Sequence, residues 1–218
     1  MTVAGVELSN EELISIIEEF DEWKRILDLA DYALTEIYTK FEIFNKNMDS
    51  IHRNPIEHMK RRVKKYTSIQ EKLERRGFNF NTKNALEHIH DIAGLRIVCP
   101  FETDIFIVKD YIDKLERERS VKIIEVKNYI ENPKPNGYRS LHVIVSVPVK
   151  LLDTTEWFDV EIQIRTVAMD FWACLEHKIL YKKTNIEDKS LSERLKKCAE
   201  MISFLDKEMY DINKSLKK

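Results

Sequence analysis

The stretch Phe158-Asp159-Val160-Glu161-Ile162-Gln163-Ile164-Arg165-Thr166 constrains this chain more than any other. Val160, Ile162 and Ile164 alternate with Asp159, Glu161, Gln163 and Arg165. A period of two puts the apolar set on one face of a sheet and all four polar side chains on the other. One face is core, the other a working surface. An alternating strand is ordinarily an edge strand with a solvated polar face, but three further segments argue against that reading. They are His90-Asp91-Ile92-Ala93-Gly94-Leu95-Arg96, Pro135-Asn136-Gly137-Tyr138-Arg139-Ser140-Leu141-His142 and Ala168-Met169-Asp170-Phe171-Trp172-Ala173-Cys174-Leu175-Glu176-His177, each polar where a pure core segment would not be.

At 218 residues the chain can bury one good core, and it lacks an internal Gly/Pro/Ser-rich linker between independent domains. No apolar run is long enough to cross a bilayer, and Met1 to Asn10 lacks the basic-then-apolar profile of a signal peptide. A soluble, cytoplasmic protein with no membrane partner is expected. Cys99, Cys174 and Cys198 are odd in number and widely spaced, which supports neither a disulfide framework nor a zinc knuckle and predicts core thiols. The net charge of −2 conceals a segment, Lys60 to Arg76, crowded with Lys and Arg that points to a polyanionic ligand.

Ser9 to Lys46 reads as a helix with Ser9 or Asn10 as cap, and surplus apolar surface on it would suit an oligomer contact. Asn54-Pro55-Ile56-Glu57 has the form of a helix start and Gly77 that of a stop, predicting a helix between them. On its wheel Met59, Val63, Tyr66, Ile69 and Leu73 form the buried face, while Lys60, Arg61, Lys64, Ser68, Lys72 and Arg75 share the opposite arc. Arg62 falls on the apolar face, where a guanidinium must be paired or reach into a polar cavity.

Leu86 to His90 reads as a short helix or turn, followed by a strand at Gly94 to Cys99, a helix at Thr103 to Glu118 and a strand at Val121 to Val126. A loop containing Gly137, a glycine that would let a ligand approach the backbone closely, leads into a strand at Tyr138 to Val147. The opening strand follows, then helices from Val167 to about Tyr181 and from Ser190 to Lys214.

This order gives an α+β layer fold, a mixed β-sheet with covering helices. An N-terminal helical extension (1–50), a catalytic domain (51–182) and a C-terminal helix (183–218) divide the chain. Asp91 and Glu161 come from two strand-adjacent positions with Arg96 and Arg165 nearby, an arrangement suited to metal-assisted phosphoryl transfer or to acid–base chemistry on a sugar. The basic segment favours phosphates.

His-Asp-Ile-Ala-Gly-Leu-Arg-Ile at 90–97, Lys-Pro-Asn-Gly-Tyr-Arg-Ser-Leu-His at 134–142, Glu-Ile-Gln-Ile-Arg-Thr at 161–166 and Met-Asp-Phe-Trp-Ala-Cys-Leu-Glu-His at 169–177 resemble the synthetase motifs of the RelA/SpoT family. With Asn-Pro-Ile-Glu-His at 54–58 and Arg-Val-Lys at 62–64, the chain is similar to the small alarmone synthetases of the RelP branch. The resemblance covers roughly residue 20 onward. It implies a nucleotidyltransferase-like fold and a GTP pyrophosphokinase, moving the pyrophosphoryl group of ATP to the 3′-OH of GDP or GTP.

Carried over by motif, the resemblance makes Asp91 and Glu161 the catalytic pair. Asp91 would hold Mg²⁺, and Glu161 would accept from or polarise the acceptor 3′-OH and share the metal. Arg62, Lys64, Ser68, Lys72, Arg75 and Arg96 would bind ATP. Lys134, Tyr138, Arg139, His142, Gln163 and Asp170 would bind GDP or GTP, with Tyr138 stacking on guanine and Asp170 reading its edge. A homotetramer with the terminal helices as contacts is implied. The chain shows no upstream hydrolase domain and no downstream regulatory region, so neither alarmone hydrolysis nor ribosome dependence is expected.

Two other classes fit less well. A metal-dependent phosphohydrolase would need a second His-Asp pair beside His88, His90 and Asp91, and the chain offers none. An RNA-binding module could use the basic segment with Tyr138, but no RNA-binding motif accompanies them, and Asp91 and Glu161 would repel phosphates unless metal were present.

Overall fold

The strand that alternates most clearly takes the middle of the sheet. In a computed structural model of the chain, the elements run β1 (Thr2–Val3), β2 (Val6–Glu7), α1 (Asn10–Asp49), β3 (His58–Val63), α2 (Tyr66–Arg75), α3 (Thr82–His88), β4 (Ala93–Cys99), α4 (Glu102–Arg117), β5 (Lys122–Asn128), β6 (Leu141–Lys150), β7 (Thr155–Thr166), α5 (Val167–Leu180) and α6 (Lys189–Leu216). All residues are described except 1, 4, 5, 8, 52, 181–188, 217 and 218. β1 and β2 form a two-stranded sheet, and the main sheet has the order β3-β4-β7-β6-β5. Its β4–β7 pair is parallel and its other pairs are antiparallel, so the expected mixed sheet is present.

Val160, Ile162 and Ile164 of β7 are fully buried, as are their register partners Leu95 and Ile97 on β4 and Val143 and Val145 on β6. α1 and α4 cover this face. α1 supplies Trp23, Ile26, Ala30, Leu34, Ile37 and Phe41, and α4 supplies Ile105, Val108, Ile112 and Leu115, all within one core cluster. The segment 1–50, expected as an extension, therefore puts much of α1 into the main core. Ser9 caps α1 with a full capping box, its hydroxyl accepting from the Glu12 N–H while the Glu12 carboxylate accepts from the Ser9 N–H. A second cluster of Trp172, Ala173, Leu195 and Ala199 joins α5 to α6 and borders Tyr138. The expected boundary at 182/183, and the end of a helix near Tyr181, lie outside the described residues.

The expected helix between Asn54 and Gly77 is corrected. Its first half is extended: the Glu57 N–H donates to the Val98 carbonyl at 2.8 Å, and His58–Val63 pairs antiparallel with β4. Met59 and Val63 are four apart, a spacing that shares a face in both helix and strand, so their pattern could not choose between the two periods. Pairing along a free edge of β4 decided it. Only α2 is helical, and it ends before Gly77, which takes the left-handed φ of 79° expected of a helix stop.

Two smaller expectations are also corrected. Cys99 is buried, but Cys174 and Cys198 are exposed on α5 and α6. Gly137 does allow a close approach, but to the protein's own helix: a Cβ there would sit 2.6 Å from Ala199 Cβ and 3.1 Å from Lys196 Cα. Its φ of 89° adds a second reason for glycine.

Candidate active site

Register partners in a sheet share a face, so the pairing assembles the polar face row by row. Glu161 lies beside Gly94 on β4, which lies beside Arg62 on β3. The next row holds His142, Gln163, Arg96 and Lys60. A cleft opens over these rows, lined by Lys60, Arg62, Asp91, Gly94, Leu95, Arg96, Glu161 and Gln163.

Correcting β3 from helix to strand exchanges two arginines. Arg61, not Arg62, shares the face of Met59 and Val63; its guanidinium donates to the Thr35 hydroxyl at 2.8 Å and lies 5.4 Å from the Tyr38 ring centre. Arg62 projects from the opposite face and lines the cleft. The expected polar cavity at Arg62 is there, although the apolar helix face that suggested it is not.

Asp91 stands two residues before β4, where α3 ends and the chain turns into the sheet. Both its carboxylate oxygens are engaged: Lys64 Nζ donates to Oδ2 at 2.6 Å and Lys72 Nζ to Oδ1 at 2.8 Å. Burial works to raise its pKa, but the hydrogen bonds from the two lysines outweigh it and hold the carboxyl below its ordinary range. Burial in turn lowers the pKa of Lys64 despite its ion pair with Asp91. Ser68 lies one turn before Lys72 on α2, and Arg75 is exposed in its last turn; neither lines the cleft.

Glu161 is held differently. His142 Nδ1 lies 3.0 Å from its Oε1, and Gln163 Nε2 donates to Oε2 at 2.7 Å. Burial would raise its pKa, and these hydrogen bonds more than reverse that, so the group is an ionised carboxylate at neutral pH. Tyr138 OH lies 2.8 Å from His142 Nε2, and Lys134 Nζ sits 4.9 Å from the Tyr138 ring centre. Burial raises the Tyr138 pKa, keeping the phenol protonated.

Asp170, from the first turn of α5, takes two guanidinium groups on one oxygen: Arg165 Nη1 at 3.2 Å and Arg96 Nη1 at 3.3 Å. Arg139 does not join these residues. Its Nη1 donates to the Ile130 carbonyl at 3.0 Å, and it borders α6 beside Trp172 and Ala199. Two residues without an expected role belong to the site: Lys60, which lines the cleft, and Arg165, 3% exposed behind Gln163. The alternation of β7 already placed Arg165 on the face of Glu161 and Gln163.

The oxygen donors suit a hard divalent cation, which commonly uses one or two carboxylates together with substrate phosphates. Asp91 and Glu161 supply such a pair in one cleft. Among the described residues no group of three or more His, Cys, Asp and Glu is placed to hold a metal, so phosphate oxygens would have to complete the shell. Carboxylates ringed by Lys and Arg on the polar face of a mixed sheet define a site for phosphate chemistry.

Comparison with known proteins gives that class a family. Residues 61–186 match the family described as a region found in RelA / SpoT proteins. The chain is 48% identical over 197 residues to the GTP pyrophosphokinase YwaC of Bacillus subtilis, covering 90% of this chain and 92% of that protein. The crystal structure of small alarmone synthetase 2 from Bacillus subtilis superposes with a TM-score of 0.78 at 47% identity, covering 89% of this chain and 99% of the other. That of small alarmone synthetase 1 from the same organism, bound to its product pppGpp, gives 0.81 at 34% identity, covering 90% and 99%. The chain belongs to the RelA/SpoT family, and its mixed sheet with helical N- and C-terminal parts is the small alarmone synthetase fold.

Proposed function

We propose that this chain is a GTP pyrophosphokinase that transfers the β,γ-pyrophosphoryl group of ATP to the ribose 3′-oxygen of GDP or GTP, giving ppGpp or pppGpp and AMP. The observation that carries this reading is the shared cleft of Asp91 and Glu161, with Arg62, Lys64, Lys72 and Arg96 on one side and His142 and Tyr138 on the other. The activity named for the relative YwaC, and pppGpp as the product bound to the second synthetase, agree with it.

On the donor side, Gly94 presents no side chain between Arg62 and Glu161, which leaves room for a flat base against the guanidinium planes of Arg62 and Arg96. Lys64, just after β3, and Lys72 on α2 neutralise phosphate oxygens as point charges, with Ser68 and Arg75, also on α2, as outer ATP contacts. Triphosphate oxygens compete with Asp91 for the two lysines and so free that carboxylate. Asp91 and Glu161 would hold Mg²⁺, whose charge, when bound, offsets the negative charge developing on the transferred phosphates.

On the acceptor side, Tyr138 stacks on guanine, and Lys134, His142 and Gln163 position phosphates and ribose. Arg139 supports this loop through Ile130. Asp170 has Oδ1 committed to two arginines, so its reading of the guanine edge falls to Oδ2, which accepts only the weak Cys174 thiol donor at 3.7 Å. Glu161 accepts the hydrogen bond of the 3′-OH and, late in a loose transition state, its proton; a carboxylate of lowered pKa suffices because little deprotonation is needed before the phosphorus bond forms.

The working unit is a cytoplasmic homotetramer joined through the terminal helices, where Ile14, Ile17, Phe20, Phe204, Leu205 and Met209 are exposed apolar residues. Among the described residues no helix is long and apolar enough to cross a membrane.

The test uses the purified protein alone with ATP, Mg²⁺ and GDP or GTP, followed by ion-exchange chromatography. AMP and a more highly phosphorylated guanosine nucleotide should appear in equal amounts. Release of ADP and inorganic phosphate instead would mark an ATPase and overturn the reading.

A further inference from the structure

Arg165 is nearly fully buried behind the cleft, and its hydrogen bonds run toward the acceptor side along two separate arms. In the first, Arg165 Nη2 donates to Gln163 Oε1 at 2.7 Å, and Gln163 Nε2 donates to Glu161 Oε2 at 2.7 Å. In the second, Arg165 Nη2 donates to Tyr138 OH at 3.0 Å, Tyr138 OH lies 2.8 Å from His142 Nε2, and His142 Nδ1 lies 3.0 Å from Glu161 Oε1. The arms start at one guanidinium and end on the two oxygens of one carboxylate.

The chemistry of the end groups gives this ring one direction. A guanidinium has only donors and an ionised carboxylate only acceptors. The amide of Gln163 must therefore turn its oxygen to Arg165 and its nitrogen to Glu161. His142 must carry a proton on Nδ1, and with the ring neutral, Nε2 accepts from the Tyr138 hydroxyl, whose oxygen in turn accepts from Arg165. Bonds aligned head to tail in a buried site polarise and stiffen one another. A third contact, Arg165 Nη1 to Asp170, fixes the source of the ring to α5.

We propose that Arg165 is a positioning residue that sets the Glu161 carboxylate and the Tyr138 ring as one unit, so that seating the acceptor base also aligns the group that receives the acceptor hydroxyl. This rests on the acceptor-side reading above. Arg165 need touch neither nucleotide: it acts through Gln163, Tyr138 and His142.

The experiment is a double-mutant cycle of Arg165→Met and Tyr138→Phe. The Phe ring keeps the space and stacking face of Tyr138 but opens one arm, whereas the Met side chain opens both. For wild type and the three variants, kcat and KM for GDP are measured at saturating ATP, with the affinity of a non-hydrolysable ATP analogue and the melting temperature alongside. Arg165→Met should lower kcat and raise the GDP KM by about tenfold each while analogue affinity stays within about threefold. Tyr138→Phe should cost about fivefold in kcat in the wild type and about nothing in Arg165→Met, because coupled residues fail to add.

Independent effects of the two changes, or losses of ATP-analogue and GDP binding that match and track a fall in melting temperature, would overturn the proposal and leave Arg165 a packing residue. If Arg165→Met does not fold, Tyr138→Phe alone decides: an unchanged kcat and GDP KM overturns the ring, and a severalfold fall in kcat at unchanged melting temperature supports it. If the wild type binds GDP but makes no 3′-pyrophosphorylated product, the proposed function fails, and the ring is judged by coupling in GDP titrations of the four proteins. A wild type that binds no GDP overturns both.

Discussion

Asp91 shows how a partly buried carboxylate can be kept charged by two lysines. Lys64 and Lys72 together occupy both of its oxygens, at the cost of bringing Lys64 out of water. Asp91→Asn keeps the volume and removes the charge. It should reduce pyrophosphoryl transfer by about 10²-fold or more, since a positioned metal supplies several kcal/mol of transition-state stabilisation. Near wild-type turnover would remove Asp91 from the metal site. A second consequence follows from the direction of its pKa. A folded-state value below the unfolded one stabilises the fold above the ordinary carboxylate range, about pH 4, and that contribution is lost as the pH falls through the lowered value. Acid unfolding followed by circular dichroism should therefore be shallower below about pH 4 in Asp91→Asn than in wild type. Identical acid limbs would show that the lysine pairing contributes nothing to stability.

At the scale of elements, β7 separates stability from chemistry by parity. Ile162 is 0% exposed between Leu95 and Val143 on the core face, so Ile162→Ala should cost about 2–5 kcal/mol, with little change in kcat for the protein that remains folded. Denaturant melts and active-site-normalised kinetics check this. A large kcat loss without loss of stability would mean that the two faces are not independent. The same parity explains what could be read in advance. β7 shows its period over many residues, so its core face and the alignment of Glu161, Gln163 and Arg165 were legible. β3 was not: Met59 and Val63 satisfy both periods, Asn54-Pro55 imitates a helix start, and the strand forms because β4 offers an edge. That error concealed the role of Arg61, which packs on α1, while the inference of a pocket at Arg62 survived through a different geometry. The lysine pairing at Asp91 and the contact of Arg96 with Asp170 join residues far apart in sequence, and no local pattern encodes them.

For the whole molecule, α1 and α6 carry apolar residues that this single chain does not cover. Phe20 is 68% exposed and Phe204 63% exposed, more surface than a solvated helix needs. In the proposed homotetramer these faces are buried, and light scattering should give four times the chain mass of 26.0 kDa. Phe20→Glu combined with Phe204→Glu should reduce that mass; an unchanged tetramer would move the interface elsewhere. The central claim concerns the cleft that the whole fold assembles, where Glu161 receives the acceptor hydroxyl opposite the donor phosphates. Glu161→Gln retains shape and most hydrogen bonding but cannot take a proton, so calorimetric titration paired with single-turnover transfer tests that claim most directly. GDP and a non-hydrolysable ATP analogue should bind within a few-fold of wild type while transfer falls by about 10²–10⁴-fold. Transfer at a near wild-type rate would contradict the assignment of this strand as the centre of the chemistry.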